Sequence, residues 1–277
     1  MTINTTSRNA LLVLVCCGLI LGGCAAYEAG EAPTAAAPEP PPPPELTEEQ
    51  KIIARHVEAI GGEDALRAHT SMTIKGAFEM PAMGLSGEAT IYLAAPDKGL
   101  LNIEIPGFGS NIQGFNGEFG WSEDPMQGAR LLEGGELSTL KNQTRIHGDL
   151  EYDELYSEQT AVGETEWNDQ AAYQIDLVDV DGNESSRYFA VETGLLIGEE
   201  ATTTSEMGTM ETSTTLGEYK EFGGVLFATS TTTSIPSFGM EITQTIDSVT
   251  FDDVDPRVFE PSDAITAPPP ASRLLPP

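Results

Sequence analysis

Three histidines and many carboxylates are the side chains of this sequence that could perform acid–base chemistry. His56, His69 and His147 are not accompanied by an HExxH zinc motif, a phosphate-binding loop, a GxGxxG turn or a GxSxG turn. His56 follows Ile52 by one helical turn, which predicts a partly buried helix residue. His69 ends a helical stretch, where an imidazole is expected to interact with the terminal carbonyls. We predict no catalytic residue, no metal ligand and no cofactor; the enzymatic alternative is a hydrolase of unfamiliar type.

The run Asp179-Val180-Asp181-Gly182-Asn183-Glu184 has the alternating oxygen ligands of a calcium loop. Its spacing matches only the front of an EF-hand, and its flanks alternate like strands rather than helices. The run therefore favours a hairpin turn over a metal site, with Gly182 or Asn183 at positive φ.

Cys24 is the cysteine with a predicted chemical role. It follows an apolar stretch, residues 10–21, of the length expected for the hydrophobic part of a signal peptide. Leu21-Gly22-Gly23-Cys24 resembles the lipobox of bacterial lipoproteins, which implies cleavage before Cys24 and its acylation by chains such as palmitate. Cleavage removes Cys16 and Cys17, so no disulfide within the mature chain is expected.

Composition divides the chain into four predicted segments. Residues 1–23 are a signal peptide, residues 24–46 a lipidated cysteine with a Pro/Ala-rich tether, residues 47–262 one folded domain, and residues 263–277 a Pro-rich disordered tail. By resemblance to lipoproteins, Ala25 after the cysteine favours the outer membrane over inner-membrane retention. We expect a protein of the cell envelope, lipid-anchored and facing the periplasm.

The net charge is -31, from 44 acidic and 13 basic residues. Such a surface repels phosphate and anionic lipid head groups, which argues against nucleic-acid binding and against docking through basic patches. The predicted contact with the membrane is the N-terminal lipid anchor. A solvated acidic surface is the favoured interpretation, and an acidic face for a cationic partner is the alternative.

Apolar periodicity predicts one short helical region followed by many strands. Thr47-Glu48-Glu49-Gln50 is a capping box ahead of a helix that Gly61-Gly62 ends, and from Ser71 the apolar period becomes two. Residues 134–147 interrupt the strands with a helical pattern. A change of parity between Ile246 and Val249 predicts a bulge near Asp247-Ser248. The predicted fold class is mainly β (α+β): a single highly curved antiparallel sheet covered by an N-terminal helix and a mid-chain helical insertion.

Methionine, aliphatic and aromatic side chains recur on the predicted strands. Methionine suits adaptable apolar grooves, so these side chains are candidates to contact a hydrophobic ligand. The candidates are Met72, Ile74, Phe78, Met80, Ile91, Leu93, Ile103, Phe115 and Trp121. Ordinary core packing explains the same residues, and both interpretations stay open.

One stretch of motifs resembles a known family. Val57-Glu58-Ala59-Ile60-Gly61-Gly62-Glu63-Asp64-Ala65-Leu66, the Gly-Phe-Asn-Gly hairpin at 114–117, Trp121, and Arg130-Leu131-Leu132-Glu133-Gly134 resemble bacterial outer-membrane lipoprotein-sorting-like proteins of the LolA/LolB superfamily. The likeness covers roughly residues 48–260. It implies an open half-barrel closed by helices over an apolar cavity that holds acyl chains without chemistry.

The expected function is therefore a membrane-anchored periplasmic lipoprotein that binds a lipid or a lipoprotein acyl chain, in lipoprotein sorting or envelope lipid handling. A non-enzymatic structural, interaction or sensor module of the envelope is the alternative.

Overall fold

The computed structural model describes residues 45–205 and 208–265. The predicted signal peptide, Cys24 and the tether up to residue 44 lie outside the described residues, as does the tail from residue 266 onward. Within the described ranges, no helix is long and apolar enough to cross a bilayer.

Four short α-helices accompany the sheet in the part of the chain that the structure describes. They are α1 (Glu48–Ala59), α2 (Gly62–Arg67), α3 (Gly134–Gln143) and α4 (Tyr152–Leu155). The predicted capping box begins α1: the Gln50 amide N–H donates to the Thr47 hydroxyl, and the Gln50 side chain accepts from the Thr47 N–H at 3.1 Å. Gly61, with φ of 133°, follows α1 and lies against the Gly224 carbonyl, where a Cβ atom would not fit.

Within residues 45–205 and 208–265, thirteen strands form one antiparallel sheet. They are β1 (Ser71–Met80), β2 (Leu85–Ala94), β3 (Lys98–Ile105), β4 (Gly109–Phe115), β5 (Gly120–Asp124), β6 (Gly128–Leu131), β7 (Tyr156–Trp167), β8 (Gln170–Asp179), β9 (Glu184–Ala190), β10 (Leu196–Ser205), β11 (Gly208–Phe222), β12 (Val225–Ile235) and β13 (Met240–Phe251).

The first and the last strand meet in the middle of the sheet. The spatial order is β6-β5-β4-β3-β2-β1-β13-β12-β11-β10-β9-β8-β7, so β6 and β7 are the two edges and the sheet does not close. The residues between these edges include α3 and α4, which therefore cross one face of the sheet. The predicted fold class is confirmed: a single curved antiparallel sheet with an N-terminal helix and a mid-chain helical insertion.

The predicted bulge is present at the junction of the two halves. Lys75 pairs with Ser248, whereas Gly76 pairs with Ile246, so Asp247 is the extra residue on β13. The bulge restores the apolar parity of the strand, and Val249 enters the core beside Met72.

The helices cover one face of the sheet, which we call the inner face. Ile52 and Ile53 of α1 pack against a cluster formed by Tyr152, Ile175, Leu177 and Phe189. Leu140 of α3 packs against Phe115 and Leu132, and Ile146 packs against Met72 and Leu93. Burial of these side chains, at roughly 1.5–3 kcal/mol each, is what holds the insertion on the sheet.

The C-terminal segment packs on the opposite, outer face. Its short 3-10 turn, Pro256–Phe259, contacts β3, and the Ser262 hydroxyl donates to Glu123 at 2.9 Å. Phe259 and Ile265 are buried. The packed part of the chain thus includes Ile265.

Candidate functional site

An apolar cavity of about 180 Å³ lies on the inner face, which we call the inner cavity. Helix α1, helix α2 and the segment 146–149 enclose it against β10 to β13. Most of its lining is aliphatic or aromatic: Ile60, Leu66, Met72, Ile146, Leu196, Leu216, Val225, Leu226, Phe227, Ala228 and Phe251, with His56, His69, Asp149 and Tyr219 as the polar members. Such a lining can hold an apolar group and offers few polar groups to orient it.

A second concavity of about 340 Å³ adjoins the inner cavity and is polar; we call it the polar groove. Ile146 and Asp149 line both spaces. The groove is built around Arg187, whose Nε donates to Glu199 at 2.8 Å and whose guanidinium lies 5.3 Å from the centre of the Tyr152 ring. Burial raises the pKa of Tyr152, so this phenol stays neutral and accepts a hydrogen bond from Arg187.

His56 and Asp149 form the polar end of the inner cavity. His56 is 3 % exposed, and its Nδ1 lies 3.1 Å from the Gly194 carbonyl oxygen. Because a carbonyl only accepts, Nδ1 carries the proton and donates it. Burial lowers the pKa of His56, which favours the neutral ring with a free lone pair on Nε2. That nitrogen lies 3.9 Å from Asp149 Oδ1.

The structure corrects the expectation for His69. Instead of the helix carbonyls, Nδ1 contacts the Asp252 carboxylate at 2.9 Å and Nε2 contacts the Gly223 carbonyl at 3.1 Å. The hydrogen bond to Asp252 raises the pKa of His69, and both ring nitrogens act as donors. A cationic imidazole whose two N–H groups are occupied is not placed to act as a general base.

Eight of the nine predicted ligand residues share the inner face. Residues that lie opposite each other on neighbouring strands point to the same face, and so does every second residue along one strand. Met72 lies opposite Leu93, Leu93 opposite Gly99, and Gly99 opposite Phe115, so these strands present the same alternate positions to the inner face. Of the nine, only Met72 lines the inner cavity. Ile74, Ile91 and Leu93 pack in the cluster around Met72, Phe115 packs under α3, Phe78 is buried, and Met80 and Ile103 are half-buried.

Trp121 lies on the outer face instead. Its partner in the register is Gly114, and the fully buried indole occupies the space that a side chain at Gly114 would fill. Side chains along β5 alternate between the two faces of the sheet. Ser122 pairs with Gln113, whose side chain points to the inner face, so the preceding residue, Trp121, points to the outer face.

The acidic run at Asp179 forms the turn between β8 and β9. The Asp179 carboxylate accepts from the backbone N–H groups of Asp181 and Asn183 at 2.9 and 2.8 Å, and Gly182 has φ of 87°. These bonds are those of a side-chain-capped turn, as the hairpin interpretation requires.

Five exposed apolar side chains stand on turns at the same end of the sheet, and we call them the exposed rim: Met83, Phe108, Met126, Val180 and Phe238. Alternate hairpins of an antiparallel sheet open toward the same end, and the pairing of β1 with β13 aligns the two halves. Met126 is 90 % exposed. The turns at the other end carry no exposed large apolar side chain among the described residues.

Sequence reasoning singled out His56 and His69 but missed Arg187 and Asp149. The position of Arg187 could have been predicted, because it lies two residues before the buried Phe189 on the same strand and therefore points to the same face. The position of Asp149 could not, because only the path of the insertion across the sheet brings it to His56.

Several solved structures are similar to this fold, among them the following three. A DUF1329 family protein from Desulfovibrio piger superposes with a TM-score of 0.57 and 11 % identity, over 78 % of this chain and 98 % of that chain. A LolA superfamily protein from Nitrosomonas europaea gives 0.54 and 12 %, over 77 % and 98 %. An outer-membrane lipoprotein-sorting protein domain from Vibrio parahaemolyticus gives 0.51 and 11 %, over 76 % and 95 %. The fold is therefore LolA-like.

Comparisons of the sequence alone found no relatives of this kind. Neither the scan against models of protein families nor the search of curated proteins found a match.

Proposed function

We propose that this chain, with its LolA-like fold, is a lipid-anchored periplasmic lipoprotein that binds a hydrophobic ligand between its helices and its curved sheet. The observation that carries the proposal is the inner cavity: an apolar space left between α1, α2 and the sheet. Apolar side chains that surround an unfilled space lose packing contacts, and an apolar ligand restores them.

The size of the inner cavity limits the ligand. An apolar cavity of about 150 Å³ holds benzene, so 180 Å³ accepts a short alkyl segment rather than a whole multi-chain lipid. A longer chain would continue past Ile146 and Asp149 into the polar groove. The ligand class that fits is a single acyl or alkyl chain with a polar end.

Binding rather than catalysis is the function that the site supports. His69 is held by Asp252 and Gly223, and the Asp179 carboxylate is occupied by its own turn. His56 faces a carboxylate in the inner cavity, and no serine, threonine or cysteine side chain lines that cavity within the described residues. We infer that the ligand leaves chemically unchanged.

A cavity-filling variant tests the ligand site. Leu216→Trp places an indole in the inner cavity, and we expect it to lower binding of the neutral fluorescent probe N-phenyl-1-naphthylamine about tenfold or more. Leu85→Trp, at a half-buried leucine outside the cavity lining, should bind the probe like the parent chain. Probe fluorescence that is absent in the parent, or equal in all three proteins, would refute the proposal.

The anchor has its own test. The variant Cys24→Ala should lose labelling by a radioactive fatty acid in growing cells, and labelling that persists would defeat the lipidation claim.

The exposed rim favours a second candidate, an envelope module that holds another protein. Apolar residues that protrude from turns are suited to an interface rather than to a buried ligand. A photo-crosslinking residue at Phe238 should then capture one reproducible envelope protein, whereas the same residue at Glu118, on a turn at the other end, should not. Equal labelling from the two positions would count against this second candidate.

A further inference from the structure

Two hydrogen-bond acceptors face each other at the polar end of the inner cavity. The Gly194 carbonyl oxygen accepts a hydrogen bond from His56 Nδ1–H, so Nε2 presents a lone pair toward the cavity. Asp149 Oδ1 lies 3.9 Å away. Neither His56 Nε2 nor Asp149 Oδ1 carries a hydrogen, so the two atoms cannot bond to each other. Their separation of 3.9 Å leaves room for a donor group at hydrogen-bonding distance from both.

Asp149 is the carboxylate among the described lining residues of the inner cavity, and it has no lysine or arginine partner. Arg145 is paired with Glu151 at 2.6 Å and with Glu154 at 3.2 Å, and Arg187 is paired with Glu199 at 2.8 Å. Among the side chains that the structure describes, the one basic nitrogen within 4.0 Å of the Asp149 carboxylate is His56 Nε2. The inner cavity therefore combines an apolar wall with one carboxylate, 43 % exposed, that no lysine or arginine pairs with in the described residues.

We propose that the inner cavity selects an alkyl ligand that ends in a primary ammonium, with His56 Nε2 and Asp149 as the two acceptors of its N–H groups. An ammonium group has three donors, so it satisfies both acceptors and keeps one donor for water. A carboxylate in the same place would lie against Asp149 and would have no donor on His56. This inference rests on the proposed function and names the head group of its ligand.

Protonation of His56 opposes this ligand. His56 Nε2–H would donate to Asp149, and the two acceptors would then serve each other. The charged and titratable groups around His56 are Asp149 on the 3-10 turn Gly148–Leu150, Arg187 on β9, and Tyr219 and His69 across the cavity. Desolvation, and to a smaller extent Arg187, lower the pKa of His56, whereas Asp149 and the Gly194 carbonyl raise it. Binding of an ammonium ligand should therefore weaken as the pH falls and His56 takes up a proton.

The test compares three ligands with the same seven-carbon chain: heptylamine, heptanol and heptanoate. The protein is the mature chain from Cys24 to Pro277, produced without its signal peptide so that it carries no acyl groups, and affinity is measured by calorimetry at pH 7.5. We expect heptylamine to bind most tightly and heptanoate most weakly. The variant Asp149→Asn should weaken heptylamine binding about five- to tenfold and leave heptanol binding within about twofold.

A neighbouring carboxylate provides the control. Asp153 lies in the same insertion, hydrogen-bonds Gln159 and does not line the inner cavity, so Asp153→Asn should bind all three ligands like the parent. Heptanoate binding as tightly as heptylamine, or equal effects of the two Asp→Asn changes, would overturn the head-group inference while the apolar site stands. Failure of all three ligands and of N-phenyl-1-naphthylamine would overturn the proposed function as well.

Discussion

At the scale of single residues, His69 and Asp252 tie three separate parts of the chain together. His69 follows α2, Asp252 follows β13, and Gly223 lies in the turn between β11 and β12. Asp252 also accepts from the Thr70 N–H at 2.8 Å, so one carboxylate positions the start of β1. The hydrogen bond from His69 lowers the pKa of Asp252 to about 2, and the hydrogen bond to Asp252 raises the pKa of His69.

The raised pKa of His69 predicts a loss of stability as the pH rises through the folded-state pKa of this imidazole. A group whose folded-state pKa lies above the unfolded value of about 6.5 stabilises fully below that pH, and the contribution disappears as the pH rises through the folded-state pKa. We expect His69→Gln to remove this part of the pH dependence of the midpoint of thermal unfolding. The variant His147→Gln removes an imidazole that contacts the His69 backbone carbonyl at 2.9 Å but keeps both side chains of the His69–Asp252 pair, so it should retain this pH dependence.

The Asp252 carboxylate contributes to stability with the opposite dependence on pH. Its stabilisation is complete above about pH 3.8 and disappears as the pH falls through about 2. A His69→Gln protein whose unfolding midpoint follows pH as the parent's does would show that the His69–Asp252 pair does not cause the loss of stability at rising pH.

At the scale of elements, the pairing of β1 with β13 unites the two halves of the sheet. Gly76 lies beside the bulge at Asp247, and a Cβ atom there would overlap the Thr245 carbonyl. Backbone atoms cannot move aside as a side chain can, so even one methyl group should disturb the pairing. Gly217 in β11 provides the contrast, because a Cβ atom there meets open space.

The two glycines therefore predict opposite results. Gly76→Ala should lower the free energy of unfolding by about 1–3 kcal/mol or more through steric strain. Gly217→Ala should raise it by about 0.4–1 kcal/mol, because alanine restricts the unfolded chain. Urea unfolding of the two variants measures both quantities, and a similar loss in each would contradict the description of this junction.

The elements were predictable where the signal is local. The capping box of α1, the alternation of β1 to β4 and the parity change at Asp247 all lie within a few residues, and each is confirmed. The union of β1 with β13 was not predictable, because pairing between chain ends depends on the whole topology. Trp121 shows the same limit: its face follows from the register of β5, which composition does not specify.

The site was predictable only as an apolar inner face. Met72 lines the inner cavity, whereas Ile74, Ile91 and Leu93 pack in the core cluster around Met72. Phe115 packs under α3, a helix whose path across the sheet the sequence did not indicate. His56 meets Gly194 across 138 residues of chain, a separation at which periodicity carries no information.

At the scale of the whole molecule, the two ends of the sheet differ. One end is covered by α1 and α2, with the Leu226 N–H donating to the Ile60 carbonyl at 2.8 Å, and the other end carries the exposed rim. Exposed apolar side chains contribute little to the free energy of folding, so packing of the core does not explain why they occur at this end.

The exposed rim can therefore be changed without cost to the fold. The double variant Met126→Gln with Phe238→Gln should keep the free energy of unfolding within about 0.5 kcal/mol of the parent. Phe115→Ala, in the core beneath α3, should cost about 3–5 kcal/mol. A loss in the double variant as large as that of Phe115→Ala would mean that the rim is packed rather than exposed.

The most direct test of the account is native mass spectrometry of the chain gently extracted from membranes. We predict a covalent mass that corresponds to an acylated chain beginning at Cys24, and a further mass from one noncovalently bound lipid-like molecule. Mild activation should release that molecule from the parent, and Leu216→Trp should lack it. A parent protein that is consistently empty would contradict the central claim that the inner cavity binds a hydrophobic ligand.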